Sequence, residues 1–110
     1  MNRYEQRRRK LLENEEVAAG YREMAAELEL MHAIDDVRKQ LHMSQEQLAT
    51  RMGKKREAVS RLFSADDINP TLDTLIELLS ALNLTADITL RQAREGEGPI
   101  KVAMEIAPSQ

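Results

Sequence analysis

Five cations, Arg51, Lys54, Lys55, Arg56 and Arg61, fall within eleven consecutive residues, interleaved with Glu57 and Ser60. A guanidinium is a planar fork that matches the two acceptors on a guanine edge, so Arg56 and Arg61 suit base reading in a DNA major groove. Glu57 can accept from a cytosine amino group, and Ser60 can serve either a base or a phosphate. Arg51, Lys54 and Lys55 suit phosphates. Gln45, at the start of a helix whose first amides point outward, suits another.

No comparable case exists for catalysis or metal binding. The two histidines, His32 and His42, stand ten residues apart, with no cysteine in the chain and no third ligand at a recognisable spacing. They read as surface or partly packed side chains. Asp35-Asp36 and Asp66-Asp67 are adjacent pairs, and neighbours on a helix point in different directions, while the second pair sits in a turn beside Pro70. Nothing brings a nucleophile, a base and a pocket together, so the expectation is a non-enzyme with no metal and no cofactor.

The formal net charge of −3 argues against a nucleic-acid surface only until the charges are counted along the chain. Residues 1–10 sum to +4, residues 11–36 to −7, residues 37–63 to +5 and residues 64–110 to −5. The positive block is central and compact, and segregation of this kind matters more than the sum. Absence of cysteine fits a reducing compartment. No apolar stretch of signal or membrane-spanning length follows the basic start, so the reading is a soluble cytoplasmic protein with no membrane partner.

The elements that must position the basic block are helical. Aromatic residues are limited to Tyr4, Tyr21 and Phe63, so the core is aliphatic and suits packed helices. Apolar residues recur at helical spacing from Leu12 to Leu41, and Gly20 weakens the first part. The pattern predicts a leading helix near Glu15 to Leu28 and a second near Leu30 to Leu41. Ser44, with Gln47 at the capping-box position, opens a short helix that Gly53 can end in a left-handed conformation. Another follows at Lys55 to Phe63. After the turn at Asp66 to Pro70, Thr71 caps a helix carrying Leu72, Leu75, Ile76, Leu79 and Leu82, which Asn83 ends. The period then becomes two: Ala86, Ile88 and Leu90 form one run, and Ile100, Val102, Met104 and Ile106 a second.

Gln45 to Leu62 reads QEQLATRMGKKREAVSRL. Ala49 stands where one helix must approach the next, Gly53 follows four residues later at the turn, and Val59 six residues after that. Leu48, Met52 and Leu62 complete the seam. A small residue, a glycine and a β-branched apolar residue at these intervals meet the steric demands of a helix-turn-helix. Burial of Val59 and Leu62 leaves Lys55, Arg56, Glu57, Ser60 and Arg61 outward.

The stretch from Ile34 to Leu84 resembles the Cro/repressor-like (XRE) helix-turn-helix proteins. The lead-in from Glu13 to Leu30 and the trailing Ala86 to Leu90 are similar to antitoxins of HigA type within that family. The resemblance implies a dimer that represses its own operon on double-stranded operator DNA and neutralises a cognate mRNA-cleaving toxin. Phe63 and Ala65 depart from the Glu and Gly of many relatives, and Lys54 takes a position that is often apolar.

The expected architecture is therefore mainly α, a five-helix repressor-like helix-turn-helix domain with a C-terminal β-strand or hairpin. Residues 1–29 form a tail and leading helix, 30–84 the DNA-binding domain, and 85–110 a β element for homodimerisation. Arg7 to Lys10 read as a solvated end or a minor-groove arm. The six methionines read as core filler. Two rivals stand beside the antitoxin reading: a stand-alone regulator of the same family, and a protein-interaction module that has lost DNA binding.

Overall fold

Residues 15 to 40 include no proline and are rich in Ala, Leu, Glu and Met, which favour helix strongly. In a computed structural model they form one 26-residue helix, α1 (Glu15–Gln40). The structure describes Arg9 and residues 15–64 and 69–105. The expected break near residue 29 is absent, which corrects the five-helix expectation: among the described residues there are four helices. Glu29 and Leu30 are good helix formers, and Gly20 weakens the helix by only about 1 kcal/mol without interrupting its hydrogen bonds.

The helix ends where His42 takes a positive φ of 56°. The amide of His42 donates to the Lys39 carbonyl at 3.0 Å and that of Met43 to the Arg38 carbonyl at 3.1 Å, a Schellman closure. Arg38, though charged, is buried: its Nε donates to Asp35 at 2.9 Å and an Nη to the Met43 carbonyl at 2.7 Å. That side chain fixes the exit from α1 to the next helix.

Three shorter helices follow: α2 (Gln45–Met52), α3 (Arg56–Leu62) and α4 (Leu72–Ala81). Met31 and Ile34 of α1 meet Leu48, Ala49, Val59, Leu78 and Leu82 in one buried cluster, bordered by partly buried Met52, Leu62, Phe63 and Leu75. Thr71 caps α4 by accepting from the Thr74 amide at 3.2 Å. Asn83, with φ of 56°, closes the other end: Leu84 donates to Leu79 at 2.8 Å and Asn83 to Ser80 at 3.1 Å. Residues 66–68 of the expected turn at Asp66 to Pro70 lie outside the described residues, as do Arg7, Arg8, Lys10 and Ile106.

No strand forms among the described residues of the C-terminal segment, which corrects the expected β-strand or hairpin. A two-stranded ribbon is marginal unless another surface covers it, and here the second run is diverted. A turn closes at Arg94 to Glu97, with Gly96 at φ 82°, and Gly98 then lies against α1. A Cβ on Gly98 would stand 3.3 Å from the Arg22 carbonyl oxygen, and Ala18 and Ala26, one turn to either side of Arg22, are buried.

Candidate nucleic-acid interface

The interface is built by α2 and α3. Ser44, in extended conformation, accepts the Gln47 amide on its hydroxyl at 3.0 Å, while the Gln47 side chain accepts the Ser44 amide at 2.8 Å. This reciprocal box consumes Gln47 and leaves the amides of Gln45 and Glu46 at the exposed N-terminus of α2. At the far end Gly53 adopts φ 66°, with Lys54 donating to Ala49 at 2.9 Å and Gly53 to Thr50 at 3.2 Å. The left-handed glycine reverses the chain within two residues, so α3 starts at once.

Lys55 is the N-cap of α3; its carbonyl accepts from Ala58 and Val59, and its side chain caps nothing. The pitch of an α-helix puts residues 56, 57, 60 and 61 on an arc of about 140°. All four are exposed, whereas Val59 is fully buried and Leu62 partly so. Val59 thus turns Arg56, Glu57, Ser60 and Arg61 outward together, with Lys55 exposed at the leading end.

The remaining cations are held differently. An Nη of Arg51 donates to the Ala81 carbonyl at 3.0 Å, at the C-terminus of α4. The Lys54 ammonium lies 3.5 Å from Glu77 on α4. Arg61 folds back along its own helix, its Nε 3.4 Å from the Glu57 carbonyl. Gln45 is half-buried as the first residue of α2. The Arg56 side chain makes no hydrogen bond or ion pair among the described residues, so its fork is open to an incoming acceptor. The sequence reading turned Lys55, Arg56, Glu57, Ser60 and Arg61 outward and gave Gln45, Arg51 and Lys54 to phosphates; the structure exposes Arg56, Glu57, Ser60 and Arg61 on α3 with Lys55 at its N-cap, and ties Arg51 and Lys54 to α4.

Sequence reasoning did not find Arg38, which holds the turn ahead of Ser44. The spacing of Asp35 and Arg38, three apart on a helix, was the available signal. Among the described residues no group of acidic or histidine side chains could hold a metal ion, and no helix is long and apolar enough to cross a membrane.

A family model described as helix-turn-helix matches residues 34–88, half of the chain. The match starts within α1 and runs through α4 to the start of the C-terminal segment. No individual curated protein and no solved structure matches the chain.

Proposed function

The chain belongs to the XRE helix-turn-helix family, and from that premise we propose that this DNA-binding regulator is a sequence-specific repressor whose α3 reads an operator in the major groove. The carrying observation is the partition of α3: buried Val59 fixes the helix on α2 while Arg56, Glu57, Ser60 and Arg61 share the exposed face. Arg56 approaches a guanine edge, Lys55 a backbone phosphate, and Gln45 with the first amides of α2 a second phosphate. A homodimer would set two such helices ~34 Å apart on a pseudo-palindromic site. Fluorescence anisotropy against the upstream promoter and a scrambled duplex, over a salt series, tests this. Selective, salt-weakened binding supports the reading; equal or absent binding to both duplexes rejects it in favour of a protein-interaction module.

The antitoxin role is favoured by a second observation. Val17, Tyr21 and Met24 lie along one stripe of α1 and are exposed, and Glu23 and Glu27 are exposed along one side of that stripe. An apolar ridge beside a row of carboxylates suits a protein partner with a basic rim, as an RNA-cleaving toxin would present. Co-expression with the product of a neighbouring small gene tests it: a complex that M24E abolishes without changing DNA binding supports the antitoxin, and its absence leaves the stand-alone regulator.

A further inference from the structure

Residues 85–90 are a bare edge. Among the described residues no hydrogen bond engages their backbone, and Ile88 and Leu90 are 82% and 91% exposed. Yet both ends of the segment are fastened. Leu84 packs against the core and donates to Leu79 at 2.8 Å. Arg91 forms a two-point pair with Glu97, at 2.8 and 2.7 Å, and the turn it closes leads into Gly98 against α1. An alternating apolar segment with free amides and carbonyls, tethered at both ends, is a template for a further strand.

We infer that residues 87–91 pair antiparallel with the same residues of a second copy, with the twofold axis at Thr89. This rests on the dimer proposed above and specifies its interface. In a twofold pair each residue i faces a residue j of the other copy with i and j of constant sum. An odd sum sets apolar residues beside polar ones and fails on pattern alone. Centring on Asp87 would put two carboxylates face to face, and centring on Leu90 would leave Ile88 opposite Gln92. Centring on Ile88 places Ala86 opposite Leu90 and Asp87 opposite Thr89. Centring on Thr89 places Ile88 opposite Leu90 twice and Asp87 opposite Arg91 twice, joining the large apolar side chains on one face and opposite charges on the other. Arg91 can serve both carboxylates, because Nε and one Nη proton remain after its bonds to Glu97 and the Gln92 carbonyl.

The chain contains no cysteine, so a single one reports cleanly. Facing residues in an antiparallel pair have Cα atoms about 4.5–5.5 Å apart, within disulfide range, whereas residues offset by two fall outside it. After the wild-type mass is established at micromolar concentration, T89C and I88C are exposed to a mild thiol oxidant. The expected result is a dimeric wild type, efficient interchain linkage of T89C and little of I88C. D87K, which places a cation beside the opposing Arg91, should raise the dimer dissociation constant about tenfold relative to D87N. A dimeric wild type whose T89C does not link, or links no better than I88C, overturns this register and leaves the dimer standing; a monomeric wild type overturns both. Promoter binding by either species is read separately and bears on the operator reading alone.

Discussion

An Nη of Arg51, on the last turn of α2, donates to the carbonyl oxygen of Ala81, thirty residues along the chain at the C-terminus of α4. The carbonyls at a helix C-terminus lack intrahelical donors and carry partial negative charge, so a cation there answers both needs. The contact ties the helix-turn-helix pair to the helix that packs against it. R51A is expected to destabilise the protein by about 0.5–1 kcal/mol, a fall in Tm of about 3–5 °C, with the salt dependence of DNA binding unchanged. A salt slope reduced by about one with unchanged Tm would mean that this guanidinium holds a phosphate instead.

Gly53 offers a cleaner backbone test. A Cβ at this position would meet nothing within 4 Å, so substitution creates no clash, but its φ of 66° is costly for a side chain. G53A should therefore cost about 1–2 kcal/mol through backbone strain, and G53N distinctly less, because asparagine tolerates the left-handed region. Chemical denaturation of both variants with unchanged m-values would establish this; equal losses would point to something other than backbone conformation.

Arg56 and Lys55 are adjacent, yet the same DNA titration should separate them. R56A is expected to lose about 1–3 kcal/mol on the operator and little on a scrambled duplex, since an open guanidinium on the outward arc of α3 contributes through base edges. K55A should weaken both complexes alike and lower the salt slope by about 0.9. Retention of affinity and selectivity in R56A would remove α3 from the role of reading helix.

The helical pair was legible in the sequence because its constraints are local and steric. Ala49, Gly53 and Val59 meet their demands within eleven residues, and Ser44 with Gln47 states a helix start in four. Asn83 as a stop was legible for the same reason. The unbroken α1 was not: Gly20 marks a weak point, and whether a helix breaks there depends on what packs along it. His42 at positive φ gave only a weak signal, since histidine is enriched in that conformation over most side chains but takes it far less often than glycine. The destinations of Arg51 and Lys54 on α4 were hidden because long cationic side chains reach partners far away in sequence. The alternation from Ala86 to Leu90 correctly marks a segment capable of pairing, but a strand also needs a neighbour, which spacing does not supply. Among the candidate site residues, spacing revealed the outward face of α3, while the tertiary partners that occupy two of the cations emerged only from the fold.

The turn from Arg91 to Glu97 should respond to acid. Glu97 accepts from the Arg91 side chain and from the Arg94 amide at 2.6 Å, and these bonds hold its carboxyl down at about 2, against an ordinary value of 4.5. The same pairing raises the Arg91 guanidinium. A carboxyl lowered in the folded state stabilises that state fully above its unfolded value and loses the contribution as pH falls from about 4.5 towards 2. The turn should therefore stay closed at neutral pH and loosen only in strong acid, and added salt should shift the loosening to higher pH because Arg91 is partly exposed. NMR titration of the Glu97 carboxyl and the Arg94 amide is expected to show one shared midpoint near 2. In R91A the carboxyl should return towards 4.5, and E97Q should abolish the Arg94 response. A wild-type midpoint already at the ordinary value would mean that the pair does not close in solution, and the fastening of residues 85–90 at that end would then fail with it.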